Sequence, residues 1–342
     1  MKKISTLLLT LFLCTILTQC KNPKQDSENT TPKSEVITIT DTKGNVSEFE
    51  KSPQKVVALY EPLLELIYML DVESTLVGIP SKMYTNKDSY TYFGLIDDRI
   101  KDKTLATPGD FEVANLESIV ALQPDLVLAY DLPEGIIESL RSMNINVYIG
   151  KSETYNDIQK ETQDLSLIFN KEERGKQLLD FVATEFQKFK DEVKDKEQKS
   201  AYFSWANGRI FSTTGTASMM HQCLVFGGVN NVCTTEMDQA NINPETLLSW
   251  NPDVIYMWND SPELFYQHKQ LVQINAIKSK SVYNLIPMFL YNPHTLKSVL
   301  TTLRIQNWAY QIRTEDEVQS LLKSYLEMLY GKEKADKLTI HL

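Results

Sequence analysis

Two stretches of the chain carry the same order of apolar and polar positions. Asn115–Tyr130 reads NLESIVALQPDLVLAY and Asn243–Trp258 reads NPETLLSWNPDVIYMW. At an offset of 128 residues (115 to 243), an Asn, a Glu, a Pro and an Asp coincide, and apolar residues match apolar residues. Each stretch predicts a short amphipathic helix that begins at the Glu, is stopped by the Pro and leads into a buried strand of a parallel sheet.

The repeat supports two interpretations. In the first, the chain consists of two α/β lobes, each with a Glu at a helix start, Glu117 in one and Glu245 in the other. In the second, α/β proteins simply reuse such units, and both acids are ordinary first-turn residues that the helix dipole favours.

The rest of the pattern alternates between strands and helices. Short apolar or alternating runs predict strands at Val36–Thr40, Val46–Phe49, Val56–Leu59, Leu76–Ile79, Val147–Ile149, Ala201–Ser204, Arg209–Ser212 and Ser281–Asn284. Helical spacing predicts helices at Leu63–Leu70, Leu132–Ser142, Tyr155–Asn170, Ser218–Phe226, Pro262–Gln273, Thr295–Gln311 and Glu315–Tyr330. The tyrosine-rich stretch Ser81–Phe93 is expected to be a loop.

One predicted helix is much longer than the others. Glu172–Lys196 has few helix breakers, and its apolar residues recur at three- and four-residue steps. At about 1.5 Å per residue it spans roughly 37 Å. Strict heptads are not sustained, which disfavours a coiled-coil arm. We therefore predict an α/β fold of two Rossmann-like lobes with central, mainly parallel sheets joined by one long α-helix.

The N-terminus has the layout of a secretory signal. Lys2 and Lys3 precede the apolar run Leu7–Leu17, which is too short to span a bilayer as a mature helix. The following Leu-Thr-Gln-Cys resembles a bacterial lipobox, which implies lipidation of Cys20, although Gln19 departs from the small residue usual there. Plain signal cleavage and a retained anchor are the alternatives.

The composition divides the chain into five segments. These are a signal peptide (1–19), a lipidated flexible tether (20–35), an N-terminal α/β lobe (36–155), a helical connector with the long helix (156–198) and a C-terminal α/β lobe (199–342). Removal of residues 1–19 deletes two lysines and no acid, so the formal charge changes from −10 to −12. An acidic body argues against nucleic acid as a partner and against a basic membrane-binding face.

Only Cys223 and Cys233 remain in the predicted folded body. In an exported, oxidising compartment they either pair or stay buried and free, and their spacing does not decide between the two. Two cysteines do not suffice for an iron–sulfur cluster, which needs about four ligands.

Several segments together resemble one known family. SPQKVVALYEPLLELIYMLDVESTLVGIP, NLESIVALQPDLVLAY, GGVNNV, INPETLLSWNPDVIYM and INAIKSKSVYNLIP occur in this order and cover nearly all of the chain after the tether. They resemble the periplasmic binding proteins of ABC transporters for iron–siderophores, haem and cobalamin. The resemblance implies two lobes held by one long helix, with a small-molecule metal chelate bound in the cleft between them.

The resemblance also implies a role for the repeated acids. In proteins with these motifs, one Glu on each lobe docks into arginine pockets of the two membrane permease subunits, and Glu117 and Glu245 occupy these motif positions. Paired carboxylates also serve as the acid and base of glycosidases, where they lie within about 10 Å of each other. Two acids on separate lobes are expected to lie farther apart.

Ligands of α/β sheets bind beyond the carboxyl ends of the strands. Aromatic residues recur at these positions, and flat aromatic walls suit a bulky chelate or macrocycle. Ordinary packing within a lobe is the alternative for each aromatic taken singly. The few arginines near the cleft, chiefly Arg209, argue against a strongly anionic chelate. The predicted ligand-binding residues are Tyr60, Met83, Tyr84, Tyr130, Trp205, Arg209, Trp258 and Tyr291.

The four histidines do not cluster in sequence, so the chain predicts no metal site of its own and no cofactor. His221 is interpreted as a packed helix residue. His294 lies near Tyr291 and is kept as an axial or hydrogen-bonding contact to the ligand.

No catalytic motif is found: G-x-S-x-G, the P-loop and the dinucleotide glycine fingerprint are all missing. We therefore expect a non-enzymatic, monomeric, exported lipoprotein, anchored to a membrane on its periplasmic or outer face. It would deliver a ferric-siderophore-type chelate to an ABC permease dimer with a cytoplasmic ATPase. Haem or cobalamin binding within the same importer class, and a non-transport surface or sensor lipoprotein on this fold, are the alternatives.

Overall fold

The computed structural model describes residues 36–341 with the exception of positions 112 and 206. The predicted signal peptide, the lipidation site Cys20 and the tether lie outside the described residues. The described body forms one compact unit. Within residues 36–341, none of the helices combines the length and the apolar character that a membrane crossing requires.

The N-terminal lobe is built on a five-stranded parallel sheet. The strands of this lobe are β1 (Ile37–Thr40), β2 (Val46–Phe49), β3 (Val56–Ala58), β4 (Leu76–Pro80), β5 (Ala106–Gly109), β6 (Leu126–Ala129) and β7 (Asn146–Ile149). β1 and β2 form an antiparallel hairpin, and the order across the parallel sheet is β5-β4-β3-β6-β7. The helices are α1 (Glu61–Met69), α2 (Lys87–Ile96), α3 (Asp98–Lys101), α4 (Leu116–Ala121) and α5 (Glu134–Ser142).

The C-terminal lobe repeats this plan with a smaller sheet. The strands of this lobe are β8 (Ser200–Ser204), β9 (Ser212–Thr214), β10 (Asn230–Asn231), β11 (Gln239–Asn241), β12 (Val254–Trp258) and β13 (Val282–Leu285). Four of them are parallel and lie in the order β10-β8-β12-β13, and β9 and β11 form a separate antiparallel pair. The helices are α8 (Met219–Phe226), α9 (Pro244–Trp250), α10 (Glu263–Tyr266), α11 (Asn275–Lys278), α12 (Ser298–Tyr310), α13 (Glu315–Tyr330) and α14 (Lys332–Leu338).

The two repeat units fold alike. The side chain of Asn115 accepts a hydrogen bond from the backbone N–H of Ser118, 2.9 Å away, and so caps the N-terminus of α4. Asn243 caps α9 in the same way, through the Thr246 N–H at 2.8 Å. In each unit the helix is followed by a residue with left-handed backbone, Gln123 (φ 52°) or Asn251 (φ 43°), directly before the proline. The helix thus ends at this left-handed turn, ahead of the proline.

The aspartate after each proline ties two strands together. Asp125, before β6, accepts hydrogen bonds from the backbone N–H groups of Gln54 and Lys55, before β3. Asp253, before β12, accepts hydrogen bonds from the N–H and the hydroxyl of Ser200, the first residue of β8. In both lobes these bonds join the starts of two neighbouring parallel strands. The repeated Asp therefore aligns the two central strands of its sheet.

Two helices connect the lobes. They are α6 (Tyr155–Ile168) and α7 (Glu172–Val193), and at about 1.5 Å per residue the 22 residues of α7 span about 33 Å. The guanidinium of Arg174 in α7 donates hydrogen bonds to the carbonyl of Met69 at the end of α1 and to those of Met328 and Leu329 in α13. The long connecting helix is confirmed, and it also holds elements of both lobes together.

The lobes share one hydrophobic core. Leu63 and Phe93 of the N-terminal lobe belong to the same buried cluster as Phe203 and Leu322 of the C-terminal lobe. The last helices also return to the N-terminal lobe, because α14 packs against α2 and α13 against α1. The contact between the lobes is therefore much larger than the long helix alone predicts.

The structure corrects three predicted elements. The stretch Ser81–Phe93 is not a loop, because Asn86 caps a helix, α2, that begins at Lys87. The strand predicted at Arg209–Ser212 lies at Ser212–Thr214. The helix predicted at Pro262–Gln273 is reduced to the single turn of α10, and further turns rather than helix follow it.

The two cysteines of the body are free and buried. The Cys223 thiol lies 3.8 Å from the carbonyl oxygen of Ser298, and burial raises the pKa of Cys223 to about 12. A thiol with so high a pKa is a poor nucleophile at neutral pH.

Candidate ligand-binding cleft

A cleft of about 770 Å³ is lined by residues of both lobes. It lies at the carboxyl ends of the strands: Tyr60 follows β3, Tyr130 follows β6, and Trp258 is the last residue of β12. Met288 and Phe289 come from the segment after β13. A cleft of this size accommodates a drug-sized or larger organic molecule.

Five of the described residues that line the cleft are aromatic: Tyr60, Phe111, Tyr130, Trp258 and Phe289. The ring centroids of Tyr60 and Tyr130 are 5.2 Å apart, and Phe111 meets Tyr130 edge-on at 6.4 Å. Rings held against one another in this way present flat, fixed surfaces to a ligand.

The charged groups of the lining are mostly acidic. Among the described residues, five carboxylates line the cleft, against two lysines, one histidine and no arginine. The acids are Glu61, Asp88, Asp110, Glu153 and Asp238, and the lysines are Lys82 and Lys151. Burial, followed by the nearby Glu65, raises the pKa of Glu61, while a hydrogen bond from Ser89 opposes the shift. The cleft therefore presents more negative than positive charge to a ligand.

One group of polar side chains lies where the two lobes meet. The Tyr130 hydroxyl donates a 2.7 Å hydrogen bond to Glu153, and this bond raises the pKa of Tyr130 to about 12. Across the cleft, partial burial raises the pKa of Asp238, the nearby His294 opposes this shift, and Glu153 adds to it. A carboxylate of the N-terminal lobe thus influences the pKa of a carboxylate of the C-terminal lobe in this part of the cleft.

His294 is held by a contact between the lobes. Its Nδ1 lies 2.9 Å from the backbone carbonyl of Ser152. Because a carbonyl only accepts hydrogen bonds, Nδ1 carries the proton, and in the neutral ring Nε2 keeps its lone pair. Since His294 lines the cleft, this nitrogen is the group with which it can accept a hydrogen bond or bind a metal.

Three of the eight predicted ligand-binding residues line the cleft: Tyr60, Tyr130 and Trp258. Trp205 lies behind Trp258, with ring centroids 5.3 Å apart, and its indole N–H donates to the carbonyl of Thr213. It is buried and supports the wall from behind. Arg209 is exposed at the turn before β9 and does not belong to the lining.

Met83, Tyr84 and Tyr291 also lie outside the lining. A single helical turn, Ser81–Tyr84, follows β4; it buries Met83 in the core and directs the Tyr84 hydroxyl to the carbonyl of Leu105. Tyr291 is 3% exposed, and its hydroxyl accepts a hydrogen bond from Arg304 Nε at 2.9 Å. These residues follow strand ends in sequence, but the turns after the strands direct their side chains away from the cleft.

The sequence contains a signal for one missed pair of residues. Asp110 and Asp238 both line the cleft, one from each lobe, and they are related by the same offset of 128 as Glu117 and Glu245. Extending the repeat by five residues from its first residue, Asn115 or Asn243, towards the N-terminus predicts them. Phe111 and Phe289 have no such signal, because the offset relates them to Gln239 and Glu161.

The two repeated glutamates lie outside the cleft. Glu117 is exposed in the first turn of α4 and Glu245 in the first turn of α9. Within the described part of the chain, neither carboxylate makes a hydrogen bond or an ion pair, and neither lines the cleft. They are placed as surface charges and not as a catalytic pair around a substrate. Among the described residues, no group of three or more His, Cys, Asp or Glu side chains is arranged to hold a metal ion.

A family model for periplasmic binding proteins matches residues 56–288, more than half of the chain. The chain therefore belongs to this family, as the resemblance predicted, and its relatives are substrate-binding proteins of ABC transporters.

Three curated relatives illustrate the range of the family. The chain is 24% identical to the uncharacterized ABC transporter substrate-binding lipoprotein YvrC of Bacillus subtilis, covering 84% of this chain and 91% of that protein. It is 23% identical to the molybdate-binding protein MolA of Haemophilus influenzae, covering 67% and 71%. It is 28% identical to the vitamin B12-binding protein of Salmonella typhi over 44% of this chain and 57% of that protein.

Solved structures share the fold. A periplasmic solute-binding protein from Veillonella parvula matches with a TM-score of 0.73 at 19% identity, covering 86% of this chain and 93% of that one. Haemophilus influenzae MolA bound to molybdate matches with a TM-score of 0.71 at 20% identity, covering 86% and 98%. Helicobacter pylori CeuE with bound Ni(II) matches with a TM-score of 0.71 at 18% identity, covering 88% and 98%. The predicted two-lobe α/β architecture is thereby confirmed.

Proposed function

We propose that this chain is the substrate-binding component of an ABC importer whose ligand is a bulky organic metal chelate with no net negative charge. The observation that carries the proposal is the lining of the cleft: aromatic walls from both lobes around about 770 Å³, with five carboxylates and two lysines among the residues that the structure describes. Binding in this site requires no chemical step, in keeping with relatives that are solute-binding proteins.

The charge of the lining narrows the ligand class. A carboxylate in a partly desolvated cleft repels an anion and attracts a cation or a hydrogen-bond donor. Corrinoids and uncharged or cationic ferric hydroxamates meet this condition, whereas ferric catecholates and the propionates of haem bring negative charge next to Glu153 and Asp238. The molybdate dianion, which the relative MolA binds, is much smaller than this cleft and carries negative charge that the carboxylates of the lining would repel.

Delivery of the ligand rests on the two exposed glutamates. Glu117 and Glu245 stand at equivalent helix starts, one on each lobe, with their carboxylates open to solvent. This arrangement suits a permease made of two subunits, each offering a basic pocket. We infer that the chain is exported and held at the membrane by a lipid on Cys20, so that the loaded cleft stays near the permease.

A titration tests the ligand class. Because the described body is one compact unit, the chain from Lys33 onward is a suitable sample. We expect cyanocobalamin or a cationic ferric hydroxamate to quench tryptophan fluorescence, since Trp258 lines the cleft. Trp258→Phe should remove most of the quenching, and Trp250→Phe, which alters a residue outside the lining, should keep it.

The titration includes a ferric catecholate, haemin and molybdate, with isothermal calorimetry as a second readout. Tight binding of one of these anions, with no binding of the neutral and cationic chelates, would contradict the proposed ligand class. A failure of every chelate to bind would remove the chelate-importer proposal itself.

A further inference from the structure

The floor of the cleft is a segment of the C-terminal lobe pressed against the N-terminal lobe. We define it as the floor segment, residues 286–297, between β13 and α12; Met288, Phe289, Asn292 and His294 of this segment line the cleft. The Met288 N–H donates to Asp88 of α2 at 3.2 Å. A ligand in the cleft therefore rests on residues that also bind the opposite lobe.

Phe289 is held by two rings of α2. It stacks on Tyr92 with a centroid distance of 4.7 Å and an interplanar angle of 1°, and it meets Phe93 edge-on at 5.3 Å. All three residues are buried, and Phe289 is 3% exposed. Its ring thus belongs to the N-terminal core, although its backbone belongs to the C-terminal lobe.

The side chain of Lys297 also holds Phe289 in place. Its ammonium group donates to the carboxylate of Glu65 in α1 and to the backbone carbonyl of Phe289, and it lies 3.6 Å from the centroid of the Phe289 ring. The Lys297 and Glu65 side chains are both 0% exposed. One buried cation thus contacts an acid of one lobe and a cleft residue of the other.

A buried ion pair is not needed for stability alone, because two apolar side chains of similar volume often stabilise a fold as well. What the pair provides is geometry, since the three donors of an ammonium group fix the groups that accept them. We propose that Glu65 and Lys297 are positioning residues that hold Phe289 and lock the two lobes at one separation. Building on the proposed function, the lock keeps the cleft preformed and slows the release of its ligand.

The test replaces the pair by two methionines, Glu65→Met with Lys297→Met, which keep the side-chain volume and leave no buried charge. We expect a urea midpoint close to that of the parent and a chelate dissociation rate about tenfold higher, because mutational changes in affinity fall mainly on dissociation. Ile255→Val, a small loss in a strand of the C-terminal lobe away from the floor segment, should lower stability without changing dissociation. Parent-like dissociation from the double variant would overturn the inference.

A second readout needs no ligand and separates this inference from the proposed function. Spin labels on Glu134→Cys and Glu263→Cys, two exposed positions on different lobes, report the distance between the lobes. The buried Cys223 and Cys233 are inaccessible to the label. We expect one narrow distance distribution in the parent background and a broader one in the double methionine variant. Identical distributions would show that the pair does not lock the lobes.

Discussion

The two lobes share a scaffold and differ in the residues that face the cleft. At the offset of 128, both have an Asn cap, an exposed Glu, a strand-tying Asp and an aromatic residue at the end of the central strand, Tyr130 or Trp258. The aspartates at the cleft differ. Asp110 is 8% exposed and accepts hydrogen bonds from Ser81 and the Val113 N–H, whereas Asp238 is an exposed residue whose partly buried carboxylate makes no hydrogen bond with a described residue.

The difference follows from how the chain enters α4 in one lobe and α9 in the other. In the N-terminal lobe, the edge strand β5 of the main sheet leads into α4 through a tight loop that Asp110 closes. In the C-terminal lobe, β11 pairs with β9 outside the main sheet, and Asp238 precedes it in an open turn. The aspartate at this position of the repeat therefore stabilises a loop in the N-terminal lobe, whereas in the C-terminal lobe it is available to a ligand.

The largest expected effect comes from cavities in the cores that each lobe holds by itself, to which Leu140 and Ile255 belong. Leu140→Ala in the N-terminal lobe and Ile255→Ala in the C-terminal lobe should each cost about 2–5 kcal/mol of unfolding free energy. All four tryptophans lie in the C-terminal half of the chain, so tryptophan fluorescence reports on that lobe. Because one buried cluster spans both lobes, Leu140→Ala should shift the fluorescence transition in urea as much as the circular dichroism transition. Two separate transitions would show that the lobes unfold independently.

A smaller effect is expected from the strand-tying aspartates. Asp125→Ala leaves the N–H groups of Gln54 and Lys55 without their acceptor, and Asp253→Ala does the same to the N–H and the hydroxyl of Ser200; each change should cost about 1–3 kcal/mol. Asp253 should cost more, because its bonds to Ser200 are partly buried, whereas those of Asp125 to Gln54 and Lys55 are exposed. Urea denaturation measures both losses. Equal and negligible losses would mean that the repeated Asp does not align the strands.

Replacing the cleft residue Asp238 should weaken ligand binding without lowering the stability of the fold. Asp238→Asn should leave the urea midpoint unchanged and weaken the binding of a cationic ferric hydroxamate by roughly twofold to fivefold, the size expected of an exposed ion pair. Glu236→Gln removes the same charge two residues away and outside the lining, and it should change neither quantity. If Glu236→Gln weakens binding equally, the effect comes from net charge and not from the position of Asp238.

The sequence predicts the scaffold much better than the cleft. Apolar periodicity and the Asn, Glu, Pro and Asp of the repeat act through the backbone, so they specify α4, α9 and the strands that follow them. The direction of a side chain beyond a strand end depends on the turn that follows. Thus Met83 is turned into the core, while Tyr130 and Trp258 line the cleft.

The contacts that form the floor of the cleft could not be predicted from the sequence, for a different reason. Glu65 and Lys297 lie 232 residues apart, and nothing in the local pattern around either one predicts a buried ion pair. Their contact exists because the C-terminal segments return to the N-terminal lobe. Such packing between distant parts of a chain is visible only in the folded molecule.

Transport by the Glu117→Ala, Glu245→Ala double variant tests the docking role most directly. Both acids are exposed, so the double variant should keep its chelate affinity and unfold within about 0.5 kcal/mol of the parent. Uptake of the chelate through the cognate permease should fall with either single change and fall further with both. Glu134→Ala and Glu263→Ala, two exposed first-turn acids outside the repeat, serve as controls and should transport normally. Normal uptake by the double variant would contradict the docking role and, with it, the function proposed for the repeat.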